Sequence, residues 1–131
     1  MVERFYETAV AGDVDAFRAF LHPDFVCSAP DYLPWGGTQA GREIYLTQIL
    51  PQVGRVLDFG RFSFESLTSE GGHAVALINV GVTGTDTIIQ ISEHLEIEGD
   101  TAKSIWVAYY EPKVLLEQIE RNARKDALAN A

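Results

Sequence analysis

The longest run of alternating positions extends from Thr87 to Glu111 and is broken once, at Glu98-Gly99-Asp100. Successive side chains of a strand face opposite ways, so residues two apart share a face. The run therefore predicts two long antiparallel strands in the middle of a curved sheet, the second carrying Ile105-Trp106-Val107-Ala108-Tyr109-Tyr110. On the first strand Ile89, Ile91, Glu93, Leu95 and Ile97 point one way, while Ile88, Gln90, Ser92, His94 and Glu96 point the other. The first set is aliphatic except for Glu93. An acid there is either an error of register or a site.

Upstream the period is helical. Val2, Phe5, Tyr6, Ala9 and Val10 predict a helix over 2–11, followed by Gly12 and an Asp13 N-cap for a second helix through Leu21. His22-Pro23-Asp24 stops that helix, since proline holds its predecessor away from the α region. Phe25 to Ala29 reads as a short strand and Pro30 to Gly41 as the longest irregular segment, holding Asp31, Tyr32, Pro34 and Trp35. Large aromatics in such a loop either pack over a core or roof a cavity. A third helix is predicted over 42–50, with Pro51 either ending it or lying at its fraying end. From Val56 the period changes to two, giving strands over 56–67 and 73–83 with a turn at Ser69-Glu70-Gly71-Gly72. Glu111-Pro112 predicts an N-cap and a proline at the first helical position of a last helix, whose polar, alanine-rich end over 120–131 is expected to fray. Helices first and hairpin-spaced strands after predict an α+β domain with an antiparallel sheet, curled around the helices to leave a pocket.

Composition narrows the function classes. The 131 residues, 47% hydrophobic and 22% charged, suit one globular domain without disorder. With 19 acidic residues against 10 Lys and Arg, the net charge of −9 argues against nucleic-acid and anionic-membrane partners, which require a basic footprint. No apolar run approaches the ~20 residues of a membrane span. The single Cys27 excludes an internal disulfide, and a cytoplasmic location is expected. No spacing of His, Cys and acids suggests a metal site, and no serine elbow or phosphate loop is present, so no cofactor is expected.

Glu93 in an apolar pocket should hold its proton to unusually high pH, because desolvation disfavours the carboxylate. Such an acid can donate to a developing oxyanion or act as a general acid. The bland alternative is a structural carboxylate bonded to Tyr6, Trp106, Tyr110 or an arginine.

Ala11-Gly12-Asp13, Pro34-Trp35-Gly36-Gly37-Thr38 followed by Gly41-Arg42-Glu43, and Tyr109-Tyr110-Glu111-Pro112 stand in an order that resembles the nuclear-transport-factor-2-like superfamily, the cone-shaped fold of ketosteroid isomerase, scytalone dehydratase and the SnoaL-like polyketide cyclases. The Pro-x-Gly-Gly-Thr and Gly-Arg-Glu run looks most like the SnoaL-like branch, and the likeness extends to about Ile119. It implies an internal pocket and a homodimer paired through the outer sheet face, where Ile88 and Ile78 are expected. Glu93 falls where the isomerases keep a protonated acid, but their oxyanion tyrosine falls on Phe5 and their general base on Ala29, so steroid isomerisation by that route is not implied. The catalytic Asp-Arg-Asp set of the limonene epoxide hydrolases is not recognisable.

The resemblance further turns Val75, Leu77 and Asn79 inward and aligns Trp106 and Tyr110 with the pocket wall, joined by Phe5, Tyr6, Tyr32 and Trp35 as ligand contacts. Asp31 follows the strand where relatives often keep a base and is either a displaced general base or a solvated turn aspartate. His94 is expected on the outer face. Two functions follow: a cofactor-independent cyclase, isomerase or dehydratase working by proton transfer on a small apolar carbonyl compound, or a non-catalytic binder of small hydrophobic ligands or dimerisation module on the same fold.

Overall fold

A computed structural model describes residues 1–130. Helix α1 (Val2–Ala11) forms where the apolar spacing predicts it and ends at Gly12, whose φ of 71° provides a left-handed cap. Asp13 caps α2 (Val14–Arg18) by accepting from the Ala16 N–H at 3.2 Å. That helix is shorter than its pattern suggests. The chain enters β1 (Leu21–Ala29) at Leu21, which pairs with Ala102, and the strand's register shifts across His22-Pro23-Asp24. A proline without an N–H is tolerated at such an irregularity.

Strand β2 (Gly37–Ala40) pairs with β1 inside the stretch expected to be irregular. The helical segment that follows does not stop at Pro51. It continues as α3 (Arg42–Ile44), a π-helical stretch Tyr45–Ile49 and α4 (Leu50–Val56). Proline within a helix removes one hydrogen bond and crowds the carbonyl four residues back, and the π-helical stretch lies immediately before it in the chain.

The remaining strands are β3 (Leu57–Glu70), β4 (His73–Val82), β5 (Ile88–Glu98) and β6 (Thr101–Tyr110). They complete one curved six-stranded sheet in the order β2-β1-β6-β5-β4-β3. The sheet is mixed rather than purely antiparallel, because β1 lies parallel to β6. Its inner face carries Ile78, Val80, Ile89, Ile91, Leu95, Ile105 and Val107, which form the core with Phe5, Phe17 and Ile49 from the helices.

Helix α5 (Lys113–Ala129) begins one residue later than its sequence signals imply. Pro112 holds the cap position, and Glu111 adopts a φ of 52°, uncommon for a residue with a side chain. Helix α5 continues to Ala129. Arg55 grips Asp126 with two hydrogen bonds of 2.9 and 3.1 Å, and Arg124 reaches back one turn to Glu120; Ala131 lies outside the described residues. No helix in the described residues is long and apolar enough to cross a membrane.

Candidate functional site

Between the inner face of the sheet and the helices lies a cavity that offers about 70 Å³ to the centres of water-sized molecules. That is well above the roughly 10–15 Å³ needed for one water. Its wall is mostly apolar and aromatic, with Phe5, Phe17, Trp35, Phe59 and Phe62 among the lining residues. A surface groove between α1, α2 and α4 shares Ala9, Phe17, Leu50 and Phe59 with the cavity, so these four side chains form the partition from solvent on that side.

Glu93 stands in this wall, as the alternation of β5 requires. It pairs with Ala76 on β4 and Val107 on β6, and the small alanine beside it leaves room for the carboxyl. The Tyr6 hydroxyl donates to Glu93 Oε1 at 2.8 Å. Glu93 is half-buried, and burial of its carboxyl raises the pKa from 4.5 to about 7, with the Tyr6 hydrogen bond working in the opposite direction. Both protonation states are therefore present near neutral pH. Burial, and then the charge of Glu93, keep the Tyr6 phenol protonated far above its usual range.

Three further polar groups reach the same space, none of which sequence reasoning selected. Tyr45 is buried on the π-helical stretch, Tyr109 lies on β6, and Cys27 lies on β1. Burial raises the Tyr45 and Tyr109 hydroxyls well above their ordinary value, and both sense the charge of Glu93. Burial, reinforced by Glu93, pushes the Cys27 thiol up to about 12, so it stays protonated. The signal for Cys27 was available in the alternation of Phe25, Cys27 and Ala29, the first two of which are buried.

Of the residues proposed from sequence, Glu93, Phe5, Tyr6 and Trp35 line the cavity. The others do not. On β4 the inward set is Ala74, Ala76, Ile78, Val80 and Val82, so Val75, Leu77 and Asn79 face outward. Ile78, expected outside, is a cavity residue. The Asn79 amide donates to Ser63 Oγ and Glu65 Oε2 on the neighbouring strand. On β6 the inward set is Ile105, Val107 and Tyr109, leaving Trp106 54% and Tyr110 65% exposed on the outer face. Trp106 packs edge-to-face on His94, which lies outside as expected. Asp31 and Tyr32 are exposed in the turn before β2, and neither lines the cavity.

Among the described residues no group of three or more His, Cys, Asp or Glu is arranged to hold a metal ion. The cavity thus combines a mostly apolar wall with one half-buried carboxyl and hydroxyls that stay protonated.

Comparison with known proteins fixes the lineage. The SnoaL-like domain family matches residues 2–111. The chain belongs to the SnoaL-like family. No curated protein matches the sequence. Among solved structures, this SnoaL-like chain is similar to an NTF2-like protein from Burkholderia thailandensis, at 15% identity and a TM-score of 0.74 over 91% of this chain and 93% of that one. It is similar to a proposed ketosteroid isomerase from Kribbella flavida, at 16% identity and a TM-score of 0.71 over 84% and 75%. TerC, co-crystallized with polyporic acid, aligns at 19% identity and a TM-score of 0.74 over 88% and 95%. At these identities the likeness establishes the SnoaL-like fold, and the chemistry has to be argued from the site.

Proposed function

We propose that this SnoaL-like protein is a cofactor-independent enzyme of the isomerase, cyclase or dehydratase type that moves protons on a small, largely apolar carbonyl compound. One observation carries this reading: a carboxyl titrating near neutrality sits in an apolar cavity with one oxygen held by Tyr6. As carboxylate, Glu93 removes a proton from the carbon beside the carbonyl, and the C–H electron pair moves onto the carbonyl oxygen as an enolate. Where a carbon–carbon double bond lies β,γ to the carbonyl, the charge spreads through a dienolate, and the protonated Glu93 returns the proton to the γ-carbon as the double bond moves into conjugation, which completes an isomerisation. In a cyclisation the enolate carbon attacks a second carbonyl, and the resulting alkoxide takes the proton. Neither route requires an oxidant or a metal. A fold relative co-crystallized with polyporic acid supports a small organic ligand for a cavity of this kind.

A second reading, ligand binding without turnover, is favoured by the exposure of Asp31, which leaves Glu93 as the single carboxylate lining the cavity. Hydrogen exchange separates the two. A panel of small ketones is incubated with protein in heavy water, and loss of the α-hydrogen signal is followed by NMR. The enzyme reading expects exchange with the wild type and at least a hundredfold slower exchange with Glu93→Gln, since general base catalysis contributes roughly 10²–10⁴-fold. Saturable ketone binding without exchange favours the binding reading.

We further propose a homodimer paired through the outer sheet face. Ile88, Trp106 and Tyr110 are 48%, 54% and 65% exposed on the outer sheet face. Large apolar side chains grouped on one face suit a protein partner, and a second copy presenting the same face is the proposed occupant.

A further inference from the structure

The cavity is small, about 70 Å³ to the centres of water-sized molecules, and the groove outside it offers about 270 Å³ by the same measure. Ala9, Phe17, Leu50 and Phe59 line both spaces, so the partition between them is one side chain thick. We propose that the groove between α1, α2 and α4 is the outer compartment of the same binding site. Its occupant is a hydrocarbon chain on the ketone whose carbonyl end lies in the cavity. This rests on the reading of the cavity as a carbonyl site.

The partition stands close to the acid. Tyr6, which holds Glu93, and Ala9 are three residues apart on α1 and both line the cavity, separated by about 4.5 Å along the helix axis. At Ala9 the wall is a single methyl group. On the α4 side, Leu50 stands where the π-helical stretch meets the helix. Its N–H bonds the Tyr45 carbonyl five residues back, and Pro51 beside it has no N–H to donate. Leu50 is thus carried by a turn with one backbone bond fewer than a regular helix, and it is half-buried where Phe17 is buried. A side chain so placed can turn aside at less cost than the packed ring beside it.

The chemistry of the groove selects a hydrocarbon. Thr8 and Asp13 are the only residues of its lining with polar side chains, and both are spent on the backbone. The Thr8 hydroxyl lies 2.9 and 3.0 Å from the carbonyls of Arg4 and Phe5, and Asp13 accepts from the Ala16 N–H to cap α2. The rest of the lining is glycine or apolar, including Leu46, Pro51 and the 49% exposed Val14. Among the described residues no Lys, Arg or His lines the groove, so an anionic chain end meets no countercharge there. A neutral chain gains by leaving water. The partition shared with the cavity, rather than apolarity alone, assigns the groove to the ligand and not to a protein segment.

The test uses methyl ketones with ethyl, pentyl and octyl chains, titrated into the protein and followed by amide NMR. All three should shift amides at the cavity, such as those of Cys27 and Tyr109, and the octyl ketone should in addition shift those of Gly12, Val14 and Gly54. Between the pentyl and octyl ketones, affinity should rise about three- to fourfold for each methylene. Gly54 is helical and lines the groove, and a Cβ there meets no atom within 4 Å, so Gly54→Leu fills space in the groove without straining the backbone. In that variant the octyl ketone should bind no tighter than the pentyl ketone, whereas Gly54→Ala keeps most of the gain. Leucine and alanine both suit a helix better than glycine, so the comparison does not depend on a weakened fold. Binding is read at equilibrium, so the outcome does not depend on Glu93 acting as a base. A flat affinity across the wild-type series overturns the groove while leaving the cavity as a carbonyl site. An undiminished gain in Gly54→Leu overturns it too. Groove amides that shift with protein concentration in the absence of ketone would assign the groove to a second copy and likewise overturn it. No saturable binding of any of the ketones removes the carbonyl reading itself, and this proposal with it.

Discussion

Tyr6 and Glu93, 87 positions apart in sequence, meet hydroxyl to carboxylate at 2.8 Å. The contact joins the first helix to the centre of the sheet and sets the basicity of the group on which the proposed chemistry depends. Burial raises the Glu93 pKa, and the Tyr6 hydroxyl, by donating to the carboxylate, limits that rise. Tyr6→Phe should therefore move the Glu93 pKa above about 7, by about one unit if the lost bond is worth roughly 1.5 kcal/mol. Carboxyl-carbon NMR titration of the two proteins checks this. A value lowered or unchanged in the variant would mean that the hydroxyl does not act on the carboxylate.

The same group should leave a signature in stability. The folded Glu93 carboxyl holds its proton up to about 7, against 4.5 for its ordinary value. Between those limits the folded state binds more protons than the unfolded chain, so this group's contribution falls as pH rises through the window. The displacement corresponds to roughly 3 kcal/mol at most. Glu93→Gln, which still accepts from Tyr6, should therefore be more stable than wild type by about 2–3 kcal/mol at roughly pH 8 and nearly equal to it at roughly pH 4. Urea denaturation across pH measures the difference. A gap that does not depend on pH would contradict the assignment.

Arg61 explains why position 81 lacks a side chain. The register of β3 against β4 shifts between Asp58 and Phe62, and from this irregular stretch Arg61 donates to Asp58, to the Thr85 carbonyl and to the Val82 carbonyl. The guanidinium lies over Gly81 so closely that a Cβ there would be 2.5 Å from Arg61 Cζ. Gly81→Ala should cost about 1–3 kcal/mol, as overpacking does. In an Arg61→Ala background the added cost should nearly vanish, and a double-mutant cycle of denaturation midpoints would reveal that coupling. Additive effects would show that the alanine is accommodated elsewhere.

If the outer sheet face pairs two copies, an acid in its centre should separate them. Trp106→Asp is predicted to sediment as a monomer at micromolar concentration while wild type sediments as a dimer, with an unchanged far-ultraviolet spectrum. A monomeric wild type removes the dimer from the account.

Glu93 was legible in the sequence because β5 has one face that is aliphatic apart from that residue, and a carboxylate there stands out. Its neighbours were not, because both faces of β4 and β6 carry apolar or aromatic groups. Val75 and Leu77 alternate with Ala74 and Ala76, and the smaller side chains are the buried ones. On β6 the register decides. Glu98 pairs with Thr101, and a regular hairpin continued from there would bring Trp106 opposite Glu93. A shift between Glu96 and Ile97 brings Val107 there instead and carries Tyr109 inward. A one-residue bulge exchanges the faces of a strand, and no composition signal marks it here. The helix–strand order was readable from periodicity. The parallel pairing of β1 with β6 joins segments too distant in sequence for any local pattern to reveal.

The central claim is that Glu93 exchanges a proton near neutral pH from within the cavity, and its own titration tests this most directly. Carboxyl-carbon NMR of the ligand-free wild type, assigned by the missing resonance in Glu93→Gln, should give a pKa of about 7. A midpoint at the ordinary glutamate value, close to 4.5, would contradict the account.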